Sequence, residues 1–255
     1  MRFFKTYFLL LLVIASCREE QNPLALQRLS RRKTFVIYDT IKPVKKEVSK
    51  DTSYLDFLFR THGLVSIQDL DSSIRVDLRY ADTNNFLRRN FYDGLRKAYF
   101  PCDVAQKICN AQAFLKMYNP GFSLLILDAT RPLHIQQMMW DSLDMPPDQK
   151  FNYLAPPYTI SLHNYGCAVD VTIIDTKTNK ELEMGSGFDH FGKLSEPVYE
   201  WKFLKSGELS EEALENRRLL RKVMQAAKLN PITSEWWHFN YCTKESASAN
   251  FELIK

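Results

Sequence analysis

The chain has 255 residues and the composition of a globular protein, with 45% hydrophobic, 25% charged and 13% aromatic residues. These proportions exclude a disordered, collagen-like or coiled-coil chain, and only 8 glycines argue against a glycine-loop nucleotide binder. The formal net charge is +4. If Arg2 and Lys5 are removed with a signal peptide, 32 basic and 30 acidic residues remain, which gives a net charge of +2. This small excess predicts no nucleic-acid partner.

The first 16 residues have the three parts of a secretory signal. Two basic residues precede an apolar run at residues 7–15, which is shorter than the roughly 20 residues of a membrane-spanning helix. Ile14-Ala15-Ser16-Cys17 resembles the bacterial lipobox, in which the cysteine is acylated and becomes the new N-terminus. We therefore expect residues 1–16 to be a lipoprotein signal peptide and Cys17 to carry the lipid. The alternatives are a plain signal peptide with an incidental cysteine, or an uncleaved anchor.

Residues 17–50 are predicted to be a lipidated tether. After Cys17 they contain many charges, two prolines and no glycine, with one strand-like patch at residues 34–38. Such a segment would let a folded domain at residues 51–255 stand off a membrane. The predicted location is therefore outside the cytoplasm, on the periplasmic side of a bacterial envelope membrane.

The remaining sequence mixes helical and strand patterns without a regular alternation. Apolar spacing and helix stop signals predict four helices, at residues 51–61, 104–115 and 133–143 and from Ser210 to about residue 227. Alternating or continuous apolar runs predict four strands, at residues 74–80, 123–127, 168–174 and 235–241. We therefore expect an α+β domain with a central, mainly antiparallel sheet flanked by helices.

Four cysteines other than Cys17 lie in this domain: Cys102, Cys109, Cys167 and Cys242. An even number in an exported protein permits disulfides. Cys102 and Cys109 are predicted two turns apart on one helix, too far along its axis to bridge. For Cys167 and Cys242, a disulfide and two buried free thiols both stay open.

Two of the five histidines, His163 and His238, stand in unusual sequence surroundings. His163 precedes Asp170 by seven residues, and His238 follows Glu235 by three. A catalytic zinc takes three protein ligands and keeps a fourth position open to water. His163, Asp170 and His238 are therefore candidate ligands, and Glu235 is placed as a general base would be.

The spacing of these residues conflicts with regular strands. Residues separated by an odd number point to opposite faces of an unbroken strand. We therefore expect His163 to lie in a loop, with a turn at Gly166 and only Asp170 on the strand. The two tryptophans between Glu235 and His238 should form an irregular strand start, such as a bulge.

Five ordered motifs make a family resemblance specific. They are Ser-x-His-x-x-Gly-x-Ala-x-Asp at residues 161–170, Glu-Trp-Trp-His at 235–238, and the segments at 77–86, 128–132 and 184–189. Together they resemble the D-alanyl-D-alanine dipeptidase family of zinc peptidases. The resemblance implies the Hedgehog/DD-peptidase-like α+β fold, one catalytic Zn²⁺ per chain and hydrolysis of free D-Ala-D-Ala to two D-alanines.

The resemblance also assigns roles to individual residues. It makes His163, Asp170 and His238 the zinc ligands. It makes Glu235 the general base, which takes a proton from the attacking water and passes it to the leaving amine.

Outside the metal set, Arg131 matches the arginine that stabilises the oxyanion, a role that suits a rigid guanidinium. Asp189 falls where the family has an acid beside the substrate's ammonium group. Ser161 and Tyr80 are candidate residues of the substrate pocket.

Two other functions fit the same motifs. One is a zinc D,D- or L,D-carboxypeptidase that acts on peptidoglycan stem peptides. The other is a non-catalytic zinc-binding module, which would need neither Glu235 nor Arg131.

Overall fold

A computed structural model describes residues 53–151 and 153–255. The predicted signal peptide and tether, with Cys17, lie outside the described residues. Within the described ranges, no helix has the length and apolar character needed to cross a membrane.

A central six-stranded sheet organises the described chain. The strands are β1 Val65–Ser66, β2 Arg75–Val76, β3 Tyr99–Phe100, β4 Phe122–Asp128, β5 Ala168–Asp175, β6 Lys180–Glu181, β7 Asn230–Pro231 and β8 His238–Asn240. The sheet order is β2-β4-β5-β8-β7, and β6 pairs with β5, while β1 and β3 form a separate antiparallel pair. Within the large sheet only β2 and β4 run parallel, so the predicted mainly antiparallel sheet is confirmed.

Helices surround this sheet. They are α1 Tyr54–Thr61, α2 Ile67–Leu70, α3 Cys102–Tyr118, α4 Leu133–Ser142, α5 Pro147–Lys150, α6 Glu200–Ser206, α7 Glu211–Ala226 and α8 Lys244–Asn250. Helix α3 packs against both β4 and α7. Five short 3-10 turns complete the described secondary structure, at Arg79–Ala81, Pro157–Thr159, Leu162–Tyr165, Lys193–Ser195 and Pro197–Tyr199.

The two faces of β4 and β5 are buried against different partners. Because side chains alternate along a strand, Leu124 and Ile126 enter the main core, while Leu125 and Leu127 lie on the opposite face. On that opposite face they form a small cluster with Ile174, and Phe188 packs over it. The even-numbered residues of β5, Asp170 among them, are on the same face as Ile174.

The prediction of a strand at residues 74–80 is wrong beyond β2. The chain leaves the sheet and forms the 3-10 turn Arg79–Ala81, in which Tyr80 and Ala81 are both buried. The carbonyl of Tyr80 instead accepts hydrogen bonds from the amides of Phe91 and Tyr92, at 2.8 and 3.1 Å. The predicted strand at residues 235–241 is likewise shorter, and only β8 belongs to the ladder.

All four described cysteines are free thiols in this structure. Cys167 is buried, and burial together with the neighbouring Cys242 thiol raises its pKa. The structure thus has free thiols at both positions, but only Cys167 is buried, whereas Cys242 is partly exposed.

Gly166 ends the turn Leu162–Tyr165 with a left-handed backbone, at φ +65°. A Cβ at this position would lie 2.6 Å from both Pro101 Cδ and Thr130 Oγ1. The turn therefore needs glycine both for its φ and for the close approach of two neighbouring segments.

We expect Gly166→Ala to lower the free energy of unfolding by about 2–4 kcal/mol, since left-handed strain and overpacking add. The matched control is Gly207→Ala, because Gly207 has φ +78° and no atom within 4 Å of an added Cβ. Strain alone should make this control lose about 1–2 kcal/mol. Urea denaturation of both variants measures the difference, and equal losses would contradict the close-packing argument.

Candidate metal centre and active site

Three separate elements bring His163, Asp170 and His238 together. His163 lies in the 3-10 turn Leu162–Tyr165, which is off the strand as its spacing predicted. Asp170 on β5 is the register partner of His238, the first residue of β8. Just before β8 the carbonyl of Trp237 accepts from the amide of Val171 outside the regular ladder, which gives the irregular strand start.

The three potential ligand atoms form a small triangle. His163 Nε2 lies 3.2 Å from His238 Nδ1 and 3.4 Å from Asp170 Oδ1, and His238 Nδ1 lies 2.9 Å from Asp170 Oδ1. Tetrahedral ligands held about 2.1 Å from one cation are separated by about 3.4 Å. Two imidazole nitrogens and one carboxylate oxygen are also ligands that zinc prefers, so the residues fit a zinc ion.

Hydrogen bonds fix which ring nitrogen of each histidine faces the triangle. His163 Nδ1 is 2.8 Å from the carbonyl of Ala129, and His238 Nε2 is 2.7 Å from Asn240 Oδ1. Because these oxygens only accept, both nitrogens carry a proton, and the opposite ring nitrogens are the ones that face the triangle, where a bound metal would take the place of a proton. Asn240 was missed from the sequence, although its spacing of two from His238 on a strand places both on one face.

The charges of the triangle are strongly interdependent. Burial opposes a charged His238, but the hydrogen bond and charge of Asp170 raise its pKa to about 9. Burial also opposes the Asp170 carboxylate, yet His163 and His238 lower its pKa well below its usual range. The cluster therefore favours a positive charge at its centre.

Glu235 lies at the edge of this triangle. Its Oε2 is 3.8 Å from His238 Nδ1, and its side chain is half-buried. Burial raises the pKa of Glu235, and the negative charge of Asp170 adds to the effect. A carboxylate in this position is suited to accept a proton near neutral pH.

Arg131 is held rigidly beside the turn that carries His163. Its Nε and Nη2 donate to Asp128 Oδ2 at 3.1 and 2.5 Å, and its Nη1 donates to Gln136 Oε1 at 3.0 Å. Its amide donates to the carbonyl of His163, and its carbonyl accepts from Asn164 Nδ2. The three side-chain bonds to Asp128 and Gln136 use three of the five N–H groups of the guanidinium.

Asp128 receives a further bond from a residue that the sequence analysis missed. The hydroxyl of Tyr92 donates to Asp128 Oδ1 at 2.5 Å across 36 positions of sequence. Asp128 is fully buried, so this network fixes the carboxylate that orients Arg131. No local pattern around Tyr92 points to this contact.

Asp189 is linked to Arg131 through Tyr80. The hydroxyl of Tyr80 lies 3.1 and 3.0 Å from the two carboxylate oxygens of Asp189, and the Arg131 guanidinium stands 5.1 Å over its ring. Burial raises the pKa of Asp189 well above its usual value, and the charge of Asp170 adds to this. Tyr80 and Asp189 therefore form one hydrogen-bonded polar group beside the triangle.

Aromatic rings pack around the Tyr80 ring. The ring centroid of Tyr80 is 6.5 Å from that of Phe86 and 6.0 Å from that of Phe188, and Phe86 lies 4.8 Å from Phe191. The polar groups of Tyr80 and Asp189 thus stand among apolar rings, which limits the access of water to them.

Ser161 caps the turn that carries His163. Its Oγ accepts from the amide of His163 at 3.3 Å, and its own amide donates to Asn164 Oδ1 at 2.7 Å. The contact explains a serine at this position, while its predicted place in the substrate pocket stays a prediction.

The sequence profile of the D-ala-D-ala dipeptidase family, peptidase family M15, matches residues 60–255. A D-alanyl-D-alanine dipeptidase of Escherichia coli K12 is 28% identical over 179 residues, which cover 70% of this chain and 84% of the relative. One of Enterococcus faecalis V583 is 24% identical and covers 70% and 91% of the two chains.

A solved structure is also similar, though more distantly. It is a mutant of the vancomycin resistance D,D-pentapeptidase VanY from a VanB-type resistance cassette, in complex with Zn(II). It is 16% identical, with a TM-score of 0.30, and the match covers 60% of this chain and 78% of that one. This likeness is too distant to inform the fold.

We expect His238→Ala to remove stoichiometric zinc binding, because only two of the three ligands remain. Asn240→Ala should weaken zinc affinity by about 10–100-fold, since the imidazole loses the bond that orients it. His190→Ala is the control, as His190 is exposed. Zinc content after dialysis, measured by atomic absorption, distinguishes them, and a full zinc complement in His238→Ala would rule out this ligand set.

Proposed function

Since the chain belongs to the D-Ala-D-Ala dipeptidase family, peptidase family M15, we propose that it hydrolyses D-Ala-D-Ala to two D-alanines. One Zn²⁺ bound by His163, Asp170 and His238 is part of the proposal. The observation that carries it is the triangle of three ligand atoms, each pair within 3.4 Å, with the carboxylate of Glu235 at its edge. The named relatives support the same activity.

The residues around the triangle supply the acid–base and electrostatic parts of the reaction. A bound zinc ion supplies Lewis acidity, which polarises a carbonyl and makes a water molecule more acidic. The Glu235 carboxylate takes the proton of the attacking water and delivers it to the nitrogen of the leaving D-alanine. The Arg131 guanidinium, fixed by Asp128 and Gln136, stabilises the negative charge that develops on the carbonyl oxygen.

The groups beside the triangle favour a free dipeptide as substrate. A free dipeptide has an ammonium group close to the scissile bond, and it needs an acidic partner when it is taken out of water. We assign this part to Asp189, whose carboxylate is oriented by the Tyr80 hydroxyl. An ammonium group beside Asp189 would also offset the nearby charges of Asp170 and Glu235.

A carboxypeptidase that trims stem peptides is the alternative activity. In a stem peptide the residue before the scissile bond is acylated, so it has no ammonium group for Asp189. The half-buried position of Asp189 among aromatic rings therefore favours the dipeptide.

We expect the zinc-loaded protein to release D-alanine from D-Ala-D-Ala and to lose this activity with a chelator. Glu235→Ala should keep zinc but lower kcat by about 10²–10⁴-fold, because the group that accepts the proton of the attacking water is removed. D-alanine release and zinc content are measured together. Glu212→Ala, on the exposed side of α7, is the control.

A stem pentapeptide assayed in parallel separates the two activities. If D-alanine is released faster from the pentapeptide than from D-Ala-D-Ala, the proposed dipeptidase activity is wrong and the protein is a carboxypeptidase. Near-normal activity of Glu235→Ala would make the assignment of the base wrong.

We further propose that the protein is exported and anchored through a lipid on Cys17, with the catalytic domain outside the cytoplasm. The support is the order of basic residues, apolar run and Ile14-Ala15-Ser16-Cys17 in the sequence. The charged segment that follows would separate the domain from the membrane surface.

We expect the protein to incorporate radiolabelled fatty acid when it is expressed in a bacterium, and Cys17→Ser to lose the label and leave the membrane fraction. Cys102→Ser, a change at an exposed thiol, should keep both properties. Labelling of Cys17→Ser at the wild-type level would exclude Cys17 as the lipidation site.

A further inference from the structure

Asp189 lies in the middle of a loop that runs from Met184 to Ser195, here called the Asp189 loop. Asp189 itself has a left-handed backbone, at φ +58°. Ser195 Oγ is hydrogen-bonded to the carbonyl of His190 and lies 3.3 Å from Ser186 Oγ. The two halves of the loop are therefore joined within the loop itself.

A fully buried arginine closes the base of this loop. Arg217 on α7 has no exposed surface, and its Nε donates to the carbonyl of Met184 at 2.6 Å. Its Nη2 donates to the carbonyl of Leu194 at 3.0 Å and to Ser186 Oγ at 3.3 Å. One guanidinium thus binds the beginning and the end of the Asp189 loop at the same time.

The charge of this arginine is compensated away from the loop. Glu200 is buried, and its carboxylate lies 3.5 Å from Arg217 Nη1 and 2.7 Å from both Nη1 and Nη2 of Arg221. A buried guanidinium needs such a partner, because an unpaired buried charge is strongly destabilising. Its bonds to Met184, Ser186 and Leu194 are therefore additional to charge neutralisation.

Ser186 connects the loop to the segment that carries Glu235. Its Oγ accepts from Trp236 Nε1 at 3.0 Å, and the Arg217 guanidinium stands 5.8 Å over the Trp236 ring. Trp236 follows Glu235 directly and is 3% exposed. The side chains of Ser186 and Arg217 thus contact both the Asp189 loop and Trp236, the residue next to Glu235.

We propose that Arg217 and Ser186 are positioning residues for the reaction, which hold Asp189 at a fixed place relative to Glu235. The inference rests on the proposed function, since it uses the assigned parts of both carboxylates. Neither positioning residue is among the metal ligands, so the two should affect substrate binding without changing zinc content.

The first test separates KM from kcat. Ser186→Ala should raise KM for D-Ala-D-Ala about tenfold, because Trp236 and Arg217 lose a shared acceptor and the Asp189 loop loosens. We expect kcat to change less than about threefold and zinc content to stay at one per chain. Ser186→Thr keeps the hydroxyl and should restore KM, and Ser206→Ala is the control at an exposed serine.

A double-mutant cycle tests whether the effect passes through Asp189. If it does, Ser186→Ala should raise KM far less in an Asp189→Asn background than in the unchanged protein. Additive effects on KM, or a Ser186→Ala variant with an unchanged KM, would overturn the proposal.

Hydrogen exchange followed by mass spectrometry tests the same inference without activity. Ser186→Ala and Arg217→Met should exchange faster in residues 184–195 than the unchanged protein, with β4 and β5 unaltered. Arg218→Met, at the exposed neighbour of Arg217, is the matched control. Unchanged exchange in the loop, or equally faster exchange throughout, would overturn the proposal.

The two readouts also separate this inference from the proposed function. If the unchanged protein hydrolyses no D-Ala-D-Ala, the proposed function fails. The exchange rates of residues 184–195 then decide by themselves whether Arg217 and Ser186 hold the loop.

Discussion

The pairing of β5 with β8 places Asp170 directly opposite His238, and the rest of the site is arranged around this pair. Their side chains lie 2.9 Å apart at the point where β8 begins. A carboxylate and an imidazole so close and so buried need a proton or a cation between them. His163 approaches the same point from a turn outside the sheet, so a backbone ladder and one glycine-ended turn determine the geometry of all three side chains.

The alternation of side chains along the sheet separates stability from chemistry. One face of β4 and β5 packs into the main core with α3 and α7, while the other carries Asp170 and the small cluster under Phe188. Phe188 belongs to the Asp189 loop, so the loop is packed against the same sheet face that carries Asp170, a candidate metal ligand. Packing of this apolar ring and the bonds from Arg217 therefore act on the loop from two sides.

The parts of this arrangement that depend on local sequence could be predicted, and those that depend on distant contacts could not. The odd spacing from His163 to Asp170 requires a break in the strand, and Gly166 supplies it. By contrast, the strand that was predicted to extend to Tyr80 ends before it. The carbonyl of Tyr80 instead accepts hydrogen bonds from the amides of Phe91 and Tyr92, a contact that the local sequence pattern does not show. Arg217 belongs to an ordinary amphipathic helix in the sequence, and only the fold shows that its guanidinium reaches the Asp189 loop.

The formal net charge of the chain says little about the site, because the relevant charges are local. Burial raises the pKa of Asp189 and of Glu235, and both lie close enough to Asp170 for its negative charge to add to the shift. Three neighbouring carboxylates repel one another unless cations are close. The nearby cation Arg131 is already paired with Asp128, so it offsets this repulsion only in part. In the proposed function two further positive groups offset this repulsion, a metal at the triangle and an ammonium at Asp189. A free dipeptide supplies the second of these, whereas an acylated stem peptide does not.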